Sequence, residues 1–328
     1  YKSCHFSYFM RYGLQAEPRK PAGFTAPEYG TFVHYVLEHV LRDEMFRQTV
    51  LPGFSDPVAG AEGRRRLREL TRAAVDRYVE EELGGLEHQT ERFRYLFRRL
   101  LRSVQAVVDN VAEELAASQF RPISFELGFG AGKDLPPVEL SVDGMTVSIS
   151  GFVDRVDGWV HDGRLYLRVV DYKTGTKKLD LREVYCGLDC QMLLYLFSLT
   201  RDADGRFTGA EPAGVLYLLA DPAPETTTRG KAARSMEYKL DGLVRDEQKV
   251  FDAMDAEETG RYLPFSFRGG VPSPYQKEKR ADKAKLSRIQ LHLDDLVTRM
   301  GEQLYSGCIA GHGPQPLPVV RLRLHLLP

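Results

Sequence analysis

The stretch between Gly151 and Tyr195 constrains the fold of this chain most, because two strand-like segments in it each end in an acid. These acids are Asp154 and Asp171, and a lysine, Lys173, stands two places after the second acid. Residues two apart on a strand project from the same face, so Asp171 and Lys173 are expected to point the same way. Two carboxylates beside an ammonium group can hold a divalent cation and bind a phosphate. Asp171 would supply a hard oxygen ligand, while Lys173 would stabilise negative charge or orient an attacking water.

The composition allows a globular protein with a sizeable core, since 43% of the 328 residues are hydrophobic and 28% are charged. The net charge of −1 provides no overall basic field, so any surface that binds nucleic acid must be local. The sequence shows no signal peptide and no apolar run long enough to cross a bilayer, which argues against a membrane partner. Four cysteines do not indicate a disulfide scaffold, and we expect a cytoplasmic location. The chain opens at Tyr1 on a segment with helical spacing, and we interpret it as part of a longer protein.

The N-terminal part is predicted to be helical. Apolar residues recur at helical spacing, with start or stop signals that define each segment. The predicted helices cover residues 4–14, 29–45, 62–83 and 90–117. The second carries Phe32, Val36 and Val40 on one stripe, and His34 lies on the same helix, four residues after Gly30. A histidine there is either a solvated or core-edge residue or a metal ligand.

A row of arginines marks the fourth predicted helix. Arg94, Arg98 and Arg102 recur every four residues and so form a row that is separate from the apolar stripe. One interpretation is a solvated face. The other is a ridge that contacts the phosphates of DNA.

From Pro122 the hydrophobic period changes to two, which predicts strands at residues 123–129, 138–142, 145–152, 165–170 and 213–220. Helices are predicted at 182–199, 243–258 and 286–305. Gln191 and Tyr195 lie four apart on the first of these and therefore share a face. A loop that contains the run 277–280 is interpreted as mobile and solvated, with DNA contact as the alternative. The pattern is that of an α/β fold.

The segment Gly128-Phe-Gly-Ala-Gly-Lys133-Asp134 resembles a nucleotide-binding loop only superficially. Leu127 stands where the first glycine of such a loop belongs, and Asp134 replaces the serine or threonine that would bind magnesium. We interpret it as an ordinary loop and do not expect the chain to use ATP.

Four short motifs in order resemble those of the PD-(D/E)xK nuclease superfamily, in its RecB-like branch. The branch has motifs Gly-x-x-x-His, Gly-x-x-Asp-Arg-x-Asp, Asp-Tyr-Lys-Thr-Gly and Gln-x-x-x-Tyr. The chain matches these motifs at Gly30–His34, Gly151–Asp157, Asp171–Gly175 and Gln191–Tyr195. Each motif alone is weak, and the ordered set is specific. The proline of the superfamily name is absent before Asp154, where Val153 stands, as is usual in this branch.

Within the superfamily, the chain is most similar to the nuclease domain of the B subunit of AddAB-type helicase–nucleases. The resemblance implies a restriction-endonuclease-like mixed sheet flanked by helices, with a long N-terminal helical insertion. It implies that Mg²⁺ or Mn²⁺ is bound by His34, Asp154, Asp171 and the carbonyl of Tyr172. Lys173 would position the water, and Gln191 and Tyr195 would line the path of the DNA strand.

The same resemblance implies a [4Fe-4S] cluster held by four cysteines, one near the start of the domain and three near its end. Cys4 fits the first position, but the chain has no cysteine after Cys308 and cannot complete the set. Cys186 and Cys190 are not substitutes, because they are predicted to lie on the buried helix beside Gln191.

The tail 311–328 suggests why the last cysteines are missing. Written in GC-rich synonymous codons and read one nucleotide late, residues 311–327 can yield three cysteines at the spacing of the family. Our hypothesis is that the tail is out of frame, which sequencing of the gene across residues 307–313 would test.

The function implied is that of a Mg²⁺-dependent DNA nuclease domain. It would cut single strands fed to it by a helicase partner subunit during double-strand break processing and recombinational repair. The alternatives are a catalytically silent nuclease-like module that binds DNA or acts as a scaffold, and a stand-alone exonuclease of the CRISPR-associated kind. We predict one nuclease domain with a helical part carrying His34, a catalytic α/β core, C-terminal helices and an aberrant tail. Their respective ranges are 1–118, 119–225, 226–310 and 311–328.

Overall fold

The structure, a computed structural model, describes most of the chain. It covers residues 3–16, 26–54, 60–87, 90–142, 145–173, 178–201, 205–219, 240–256 and 260–307. None of the helices in these ranges is long and apolar enough to cross a membrane.

Nine α-helices lie within the described residues. They are α1 (His5–Tyr8), α2 (Ala26–Arg42), α3 (Leu51–Phe54), α4 (Gly60–Glu81), α5 (Glu91–Ala117), α6 (Leu181–Tyr185), α7 (Gln191–Arg201), α8 (Gln248–Met254) and α9 (Lys283–Tyr305). Two π-helical segments, Phe9–Gly13 and Phe46–Val50, and one 3₁₀ helix, Pro274–Lys279, complete the helical part.

Ten strands lie in the same ranges. They are β1 (Arg121–Phe129), β2 (Val138–Val142), β3 (Met145–Ile149), β4 (Gly151–His161), β5 (Arg164–Lys173), β6 (Glu211–Leu219), β7 (Leu240–Arg245), β8 (Phe267–Arg268), β9 (Val271–Pro272) and β10 (Arg280–Ala281).

Six of these strands form one mixed sheet in the order β1-β4-β5-β6-β7-β10. β5 and β6 are parallel, as are β7 and β10, and the other neighbours are antiparallel. The strand predicted at 145–152 is divided at Ser150, because β3 pairs with β2 in a separate hairpin and β4 joins the main sheet.

Helices cover both faces of the sheet, which confirms the prediction of an α/β fold with a mixed sheet and an N-terminal helical part. One core joins the N-terminal helices to the first face and includes Phe32 and Val36 of α2, Val104 of α5 and Trp159 of β4. The second core joins α7 and α9 to the other face. Amphipathic helices bury their apolar stripes in this way on the two sides of the sheet.

The prediction of a helix at residues 243–258 is wrong for its first residues. Leu240–Arg245 is a fully buried strand between β6 and β10, and the helix α8 begins only at Gln248. Gly242 accounts for the difference, since a Cβ at this position would lie 2.0 Å from the carbonyl oxygen of Val215. Only glycine allows the two strands to approach so closely, and this tertiary pairing overrides the local helical pattern.

The interpretation of residues 277–280 as mobile and solvated is wrong for Lys279 and Arg280, whereas Lys277 and Glu278 are exposed, as predicted for solvated residues. Lys279 pairs with Asp241, with 2.6 Å between Nζ and Oδ1, and its Nζ donates to the carbonyl of Leu179 at 3.1 Å. Arg280 begins β10 and pairs with Asp246 at 2.9 Å. Lys279 and Arg280 therefore tie the C-terminal region to the sheet.

The helix predicted at 182–199 is two helices, α6 and α7. Cys186 ends α6 and is exposed, whereas Cys190 precedes α7 and is buried. The two cysteines are therefore not on one buried helix, as the sequence predicted. The helix at 286–305 is confirmed and extends from Lys283 to Tyr305, with the side chain of Asp282 capping its first turn.

Candidate active site

The two acids meet because β4 and β5 are antiparallel. Arg155 of β4 pairs with Val170 of β5, so Asp154 and Asp171 form the next pair of this register. Asp154 Oδ2 also accepts a hydrogen bond of 3.1 Å from the backbone N–H of Tyr172. The expectation that each strand ends in its acid is wrong for Asp154, since β4 continues to His161. The start of one strand therefore meets the end of the other.

Helix α2 brings His34 to these acids. Its Nε2 lies 2.9 Å from the carbonyl oxygen of Tyr172, and its Nδ1 lies 3.5 Å from Asp154 Oδ2. Phe32 and Val33 of this helix are fully buried, and Phe32 packs against Tyr78 of α4 and Phe97 of α5. The imidazole from the early helix thus reaches the carboxylates of the later strands.

Glu126 is a fourth member of the group, and the sequence analysis missed it. It lies on β1, and its Oε1 is 3.8 Å from His34 Nδ1. The neighbouring register pairs, Phe125 with Arg155 and Leu127 with Val153, place Glu126 across from Asp154. The sequence contains one signal, an acid within an apolar strand. This signal could not assign Glu126 to the site, because nothing in the sequence shows that β1 pairs with β4.

These side chains fit a divalent metal ion. One ligand atom each from His34, Glu126 and Asp154 lies within 4.8 Å of the others. Asp171, which is 5% exposed, and the Tyr172 carbonyl border the same point. Carboxylate and carbonyl oxygens are the ligands that Mg²⁺ and Mn²⁺ prefer, and a single imidazole is compatible with both ions.

The electrostatics of the group favour protonation when no cation is present. Burial lowers the pKa of His34, but the carboxylates of Glu126 and Asp154 outweigh it and raise this pKa to about 9. Burial raises the pKa of Asp154 to about 7, with the charge of Asp171 adding to the effect and that of His34 opposing it. A divalent cation would compete with these protons, so binding is expected to strengthen as the pH rises.

Lys173 is paired with Asp171 on the same face of β5, as predicted. Its Nζ lies 2.7 Å from Asp171 Oδ2, and it also lies 5.7 Å from the centre of the Tyr217 ring. The lysine side chain is 29% exposed. The ammonium group is therefore held in place and open to a ligand.

Gln191 and Tyr195 share one face of α7 as predicted, with a hydrogen bond of 2.8 Å from Gln191 Nε2 to the Tyr195 hydroxyl. This hydroxyl packs against Gly151, where a Cβ would lie 2.5 Å from it. The glycine of the second motif is thus needed because the tyrosine of the fourth motif approaches the start of β4.

The remaining charged residues of the second motif form a buried network rather than part of the metal site. Arg155 pairs with Asp157, with Nε and Oδ1 2.9 Å apart, and with Glu114 of α5 at 3.1 Å. Arg168 of β5 pairs with the same two acids. All four side chains are at most 2% exposed, and their charges balance. The network fixes β4, β5 and α5 relative to one another.

The arginine row lies on α5, which also supplies Glu114. Arg98 and Arg102 are exposed, whereas Arg94 is partly exposed and lies 3.7 Å from Glu91. This distribution is compatible with both a solvated face and a ridge that contacts DNA, so the role of the row stays a prediction.

Cys4 precedes α1, and its Sγ accepts a hydrogen bond of 3.4 Å from the backbone N–H of Ser7. Within the described residues, the one group of potential metal ligands contains no cysteine. Cys308 and the tail 311–328 lie outside the described residues. The described cysteines therefore do not fit an iron–sulfur cluster, and the hypothesis of an out-of-frame tail stays untested.

Comparison with known proteins gives consistent matches. The family model described as the PD-(D/E)XK nuclease superfamily matches residues 1–301. The B subunit of an ATP-dependent helicase/deoxyribonuclease from Symbiobacterium thermophilum is 33% identical over 93% of this chain and 26% of its own length. The B subunits of the same enzyme from Thermoanaerobacter sp. and Clostridium perfringens are 29% and 32% identical over 94% and 78% of the chain, and over 27% and 22% of their own lengths. The chain spans about a quarter of the length of these curated relatives.

Proposed function

Since the chain belongs to the PD-(D/E)XK nuclease superfamily, we propose that it is a metal-dependent deoxyribonuclease domain that hydrolyses phosphodiester bonds. The convergence of the ligand atoms of His34, Glu126 and Asp154 beside the Lys173–Asp171 pair is the observation that carries this proposal. The one group of potential metal ligands within the described residues joins side chains from α2, β1 and β4, and the adjacent Lys173–Asp171 pair lies on β5.

The metal would be Mg²⁺ or Mn²⁺, held by His34, Glu126 and Asp154, with Asp171 and the Tyr172 carbonyl completing the set. When bound, the ion supplies a Lewis acid for a phosphate oxygen and lowers the pKa of a water molecule. Four ligand groups come from the motifs recognised in the sequence, and Glu126 is added by the fold.

Lys173 has the electrostatic role in this proposal. Asp171 holds its ammonium group at 2.7 Å, which fixes the positive charge without burying it. The ammonium can donate hydrogen bonds to a phosphate oxygen as negative charge develops there, and it can orient the water that attacks. Gln191 and Tyr195 would line the path of the strand, since their polar groups face the start of β4.

The wider role proposed is that of the nuclease part of a helicase–nuclease complex. The relatives are named as B subunits of an ATP-dependent helicase/deoxyribonuclease, and they support a helicase partner subunit and a DNA substrate. We propose that a single strand is fed to this site from a duplex end during break processing and recombinational repair. We also propose a cytoplasmic location, because the relatives are named as DNA-processing enzymes.

Cleavage of a labelled single-stranded oligonucleotide tests the proposal. We expect the chain to cleave the oligonucleotide in the presence of Mg²⁺ or Mn²⁺. Cleavage should stop when EDTA is added. Lys173→Ala should lower kcat by about 100-fold or more, because one positioned donor to a developing charge contributes on this scale. Asp171→Ala should abolish cleavage, and both variants should keep a nearly unchanged Tm.

Lys283→Ala is the matched control. Lys283 also pairs with a carboxylate, since it lies 3.0 Å from Glu211, but this pair is at the start of α9. The control variant should cleave at the wild-type rate. Wild-type cleavage by Lys173→Ala and Asp171→Ala would show that the roles are wrongly assigned. A chain that binds DNA but never cuts it would instead be the silent module.

A further inference from the structure

The glycine-rich segment after β1, which does not match a nucleotide-binding loop, forms a tight turn beside the start of β4. Gly130 N–H donates to the carbonyl of Leu135 at 2.9 Å, and Leu135 N–H donates to the carbonyl of Gly128 at 3.0 Å. The Asp134 carboxylate accepts a hydrogen bond of 2.9 Å from Gly128 N–H. These bonds turn the chain back on itself, so Lys133 faces β4.

Lys133 lies over the ring of Phe152. Its Nζ is 3.9 Å from the centre of the ring, and it donates to the Gly151 carbonyl at 3.5 Å. Within the described residues, no acidic side chain pairs with this ammonium group, so its charge is held by a ring face and a carbonyl and is not neutralised. A cation in this position still attracts a phosphate.

Gly128 supports both side chains. It pairs with Phe152 across β1 and β4, and a Cβ on Gly128 would lie 2.9 Å from the Phe152 ring and 3.1 Å from Lys133 Cδ. The absence of a side chain lets the ring and the stem of the lysine rest on the β1 backbone. Phe152 nevertheless remains 51% exposed. A large apolar ring is thus held by Gly128 and Lys133 while half of its surface stays exposed.

The pair stands next to the metal site. Phe152 precedes Asp154 by two residues on the same strand, a distance of about 7 Å in an extended chain. The Tyr195 hydroxyl also packs against Gly151, the residue before Phe152. A DNA strand with one phosphate at the metal site would therefore have its next nucleotide near Phe152.

We propose that Phe152 and Lys133 form a subsite for single-stranded DNA, in which the ring stacks on a base and the ammonium contacts a neighbouring phosphate. The inference rests on the proposed nuclease function and adds how the strand is held beside the cleavage point. Single-stranded DNA is the ligand because its unpaired bases expose the faces that an aromatic ring can stack on. Stacking tolerates every base, so the subsite does not select a sequence.

Binding measurements test the subsite independently of cleavage. The probe is a fluorescein-labelled oligothymidylate. Its fluorescence anisotropy is measured as the full chain is added, in a buffer that contains Ca²⁺. Phe152→Ala should weaken binding by about 5- to 150-fold, the range that loss of one base–aromatic stack produces. Phe152→Trp should bind the oligonucleotide as tightly as the wild type does. Val160→Ala, which trims a 68% exposed side chain at the other end of β4, should bind as the wild type does.

The salt dependence of binding tests Lys133. Lys133→Gln should reduce the slope of log K against log salt by about 0.7, the value for one phosphate contact on a single strand. Lys283→Gln should leave the slope unchanged. The subsite is overturned if Phe152→Ala binds the oligonucleotide within twofold of the wild type, or if Lys133→Gln leaves the slope unchanged. The exposed Phe152 ring would then be a contact for another protein.

Hydrolysis of bis(p-nitrophenyl) phosphate, which has no base, separates this inference from the nuclease proposal. Phe152→Ala should hydrolyse it at the wild-type rate, because the metal site is intact. A loss of this activity together with DNA binding would mean that the site is distorted, which overturns a stacking role. A wild type that binds the oligonucleotide through Phe152 but hydrolyses neither substrate would refute the nuclease proposal and retain the binding subsite.

Discussion

Glu126 is the residue where sequence and structure differ most at the site. It has a positive φ of 45° within β1, which is an unusual conformation for a residue with a side chain. Phe125 packs against the first core, while Leu127 belongs to the second. The direction of the side chains therefore changes at Glu126, which aims its carboxylate at His34. A backbone distortion next to an acidic side chain is consistent with a functional position.

Replacing Glu126 by glutamine should weaken metal binding by at least about tenfold, since even residues that only support a metal ligand contribute on this scale. Calorimetric titration with Mn²⁺ measures the change. The same substitution should lower the pKa of His34 from its value of about 9, because the Glu126 carboxylate helps to raise it. This shift can be followed by NMR of the metal-free chain.

Glu139→Gln is the control for this substitution, as Glu139 is exposed on the separate β2–β3 hairpin. It should bind Mn²⁺ as tightly as the wild type. Unchanged Mn²⁺ affinity in Glu126→Gln would remove Glu126 from the ligand set and leave the three protein side chains named from the sequence.

At the scale of elements, the motif around Asp154 has two separate tasks. Asp154 lies beside His34 in the candidate metal site, whereas Arg155 and Asp157 lie beside α5, where Arg155 pairs with Glu114. Burial lowers the pKa of Arg155, but Asp157 and the other negative partners outweigh it and keep the guanidinium charged. One short motif therefore contributes an acid to the candidate metal site and two further charges that anchor α5.

Loss of Asp157 should therefore destabilise the junction of these elements. Asp157→Ala leaves two buried arginines with Glu114 alone, and we expect the free energy of unfolding to fall by about 3–5 kcal/mol. Urea denaturation measures it. Asp295→Ala, which breaks an exposed pair with Arg299 on α9, should cost at most about 1 kcal/mol. Equal effects of the two substitutions would contradict an anchoring role for the network.

At the scale of the whole molecule, one sheet separates two cores. Trp159, the only tryptophan of the chain, lies in the first core with the N-terminal helices, and Leu293 of α9 lies in the second. β4 and β5 contribute residues to both cores. This sharing supports our prediction that the chain is one domain, and we therefore expect it to unfold as a single unit.

Leu293→Ala tests this cooperativity, because Leu293 is 1% exposed and its truncation should lower the free energy of unfolding by about 2–5 kcal/mol. If the cores unfold together, urea unfolding monitored by Trp159 fluorescence should shift to a lower midpoint and coincide with the transition seen by circular dichroism. A fluorescence midpoint that stays at the wild-type value would show that the two faces unfold independently and that the chain is not one domain.

Much of the fold and of the site was predictable from local patterns. The helices α2, α4, α5 and α9 follow from apolar periodicity, and the positions of His34, Asp154, Asp171 and Lys173 follow from ordered motifs. These predictions succeed because helical and strand periods and the chemistry of a side chain are properties of short segments. The strand Leu240–Arg245 was missed because its stability comes from neighbours on both sides.

The sequence by itself determined the types of the chemical groups and the family to which the chain belongs. Only the tertiary structure decided which strands pair, and through this pairing it added Glu126 to the potential metal ligands and placed Lys133 on Phe152. The physical reason is that register and strand order depend on contacts between segments distant in sequence, which no local pattern specifies. The same long-range contacts assigned Asp157 to the buried network and Lys279 to the support of the sheet.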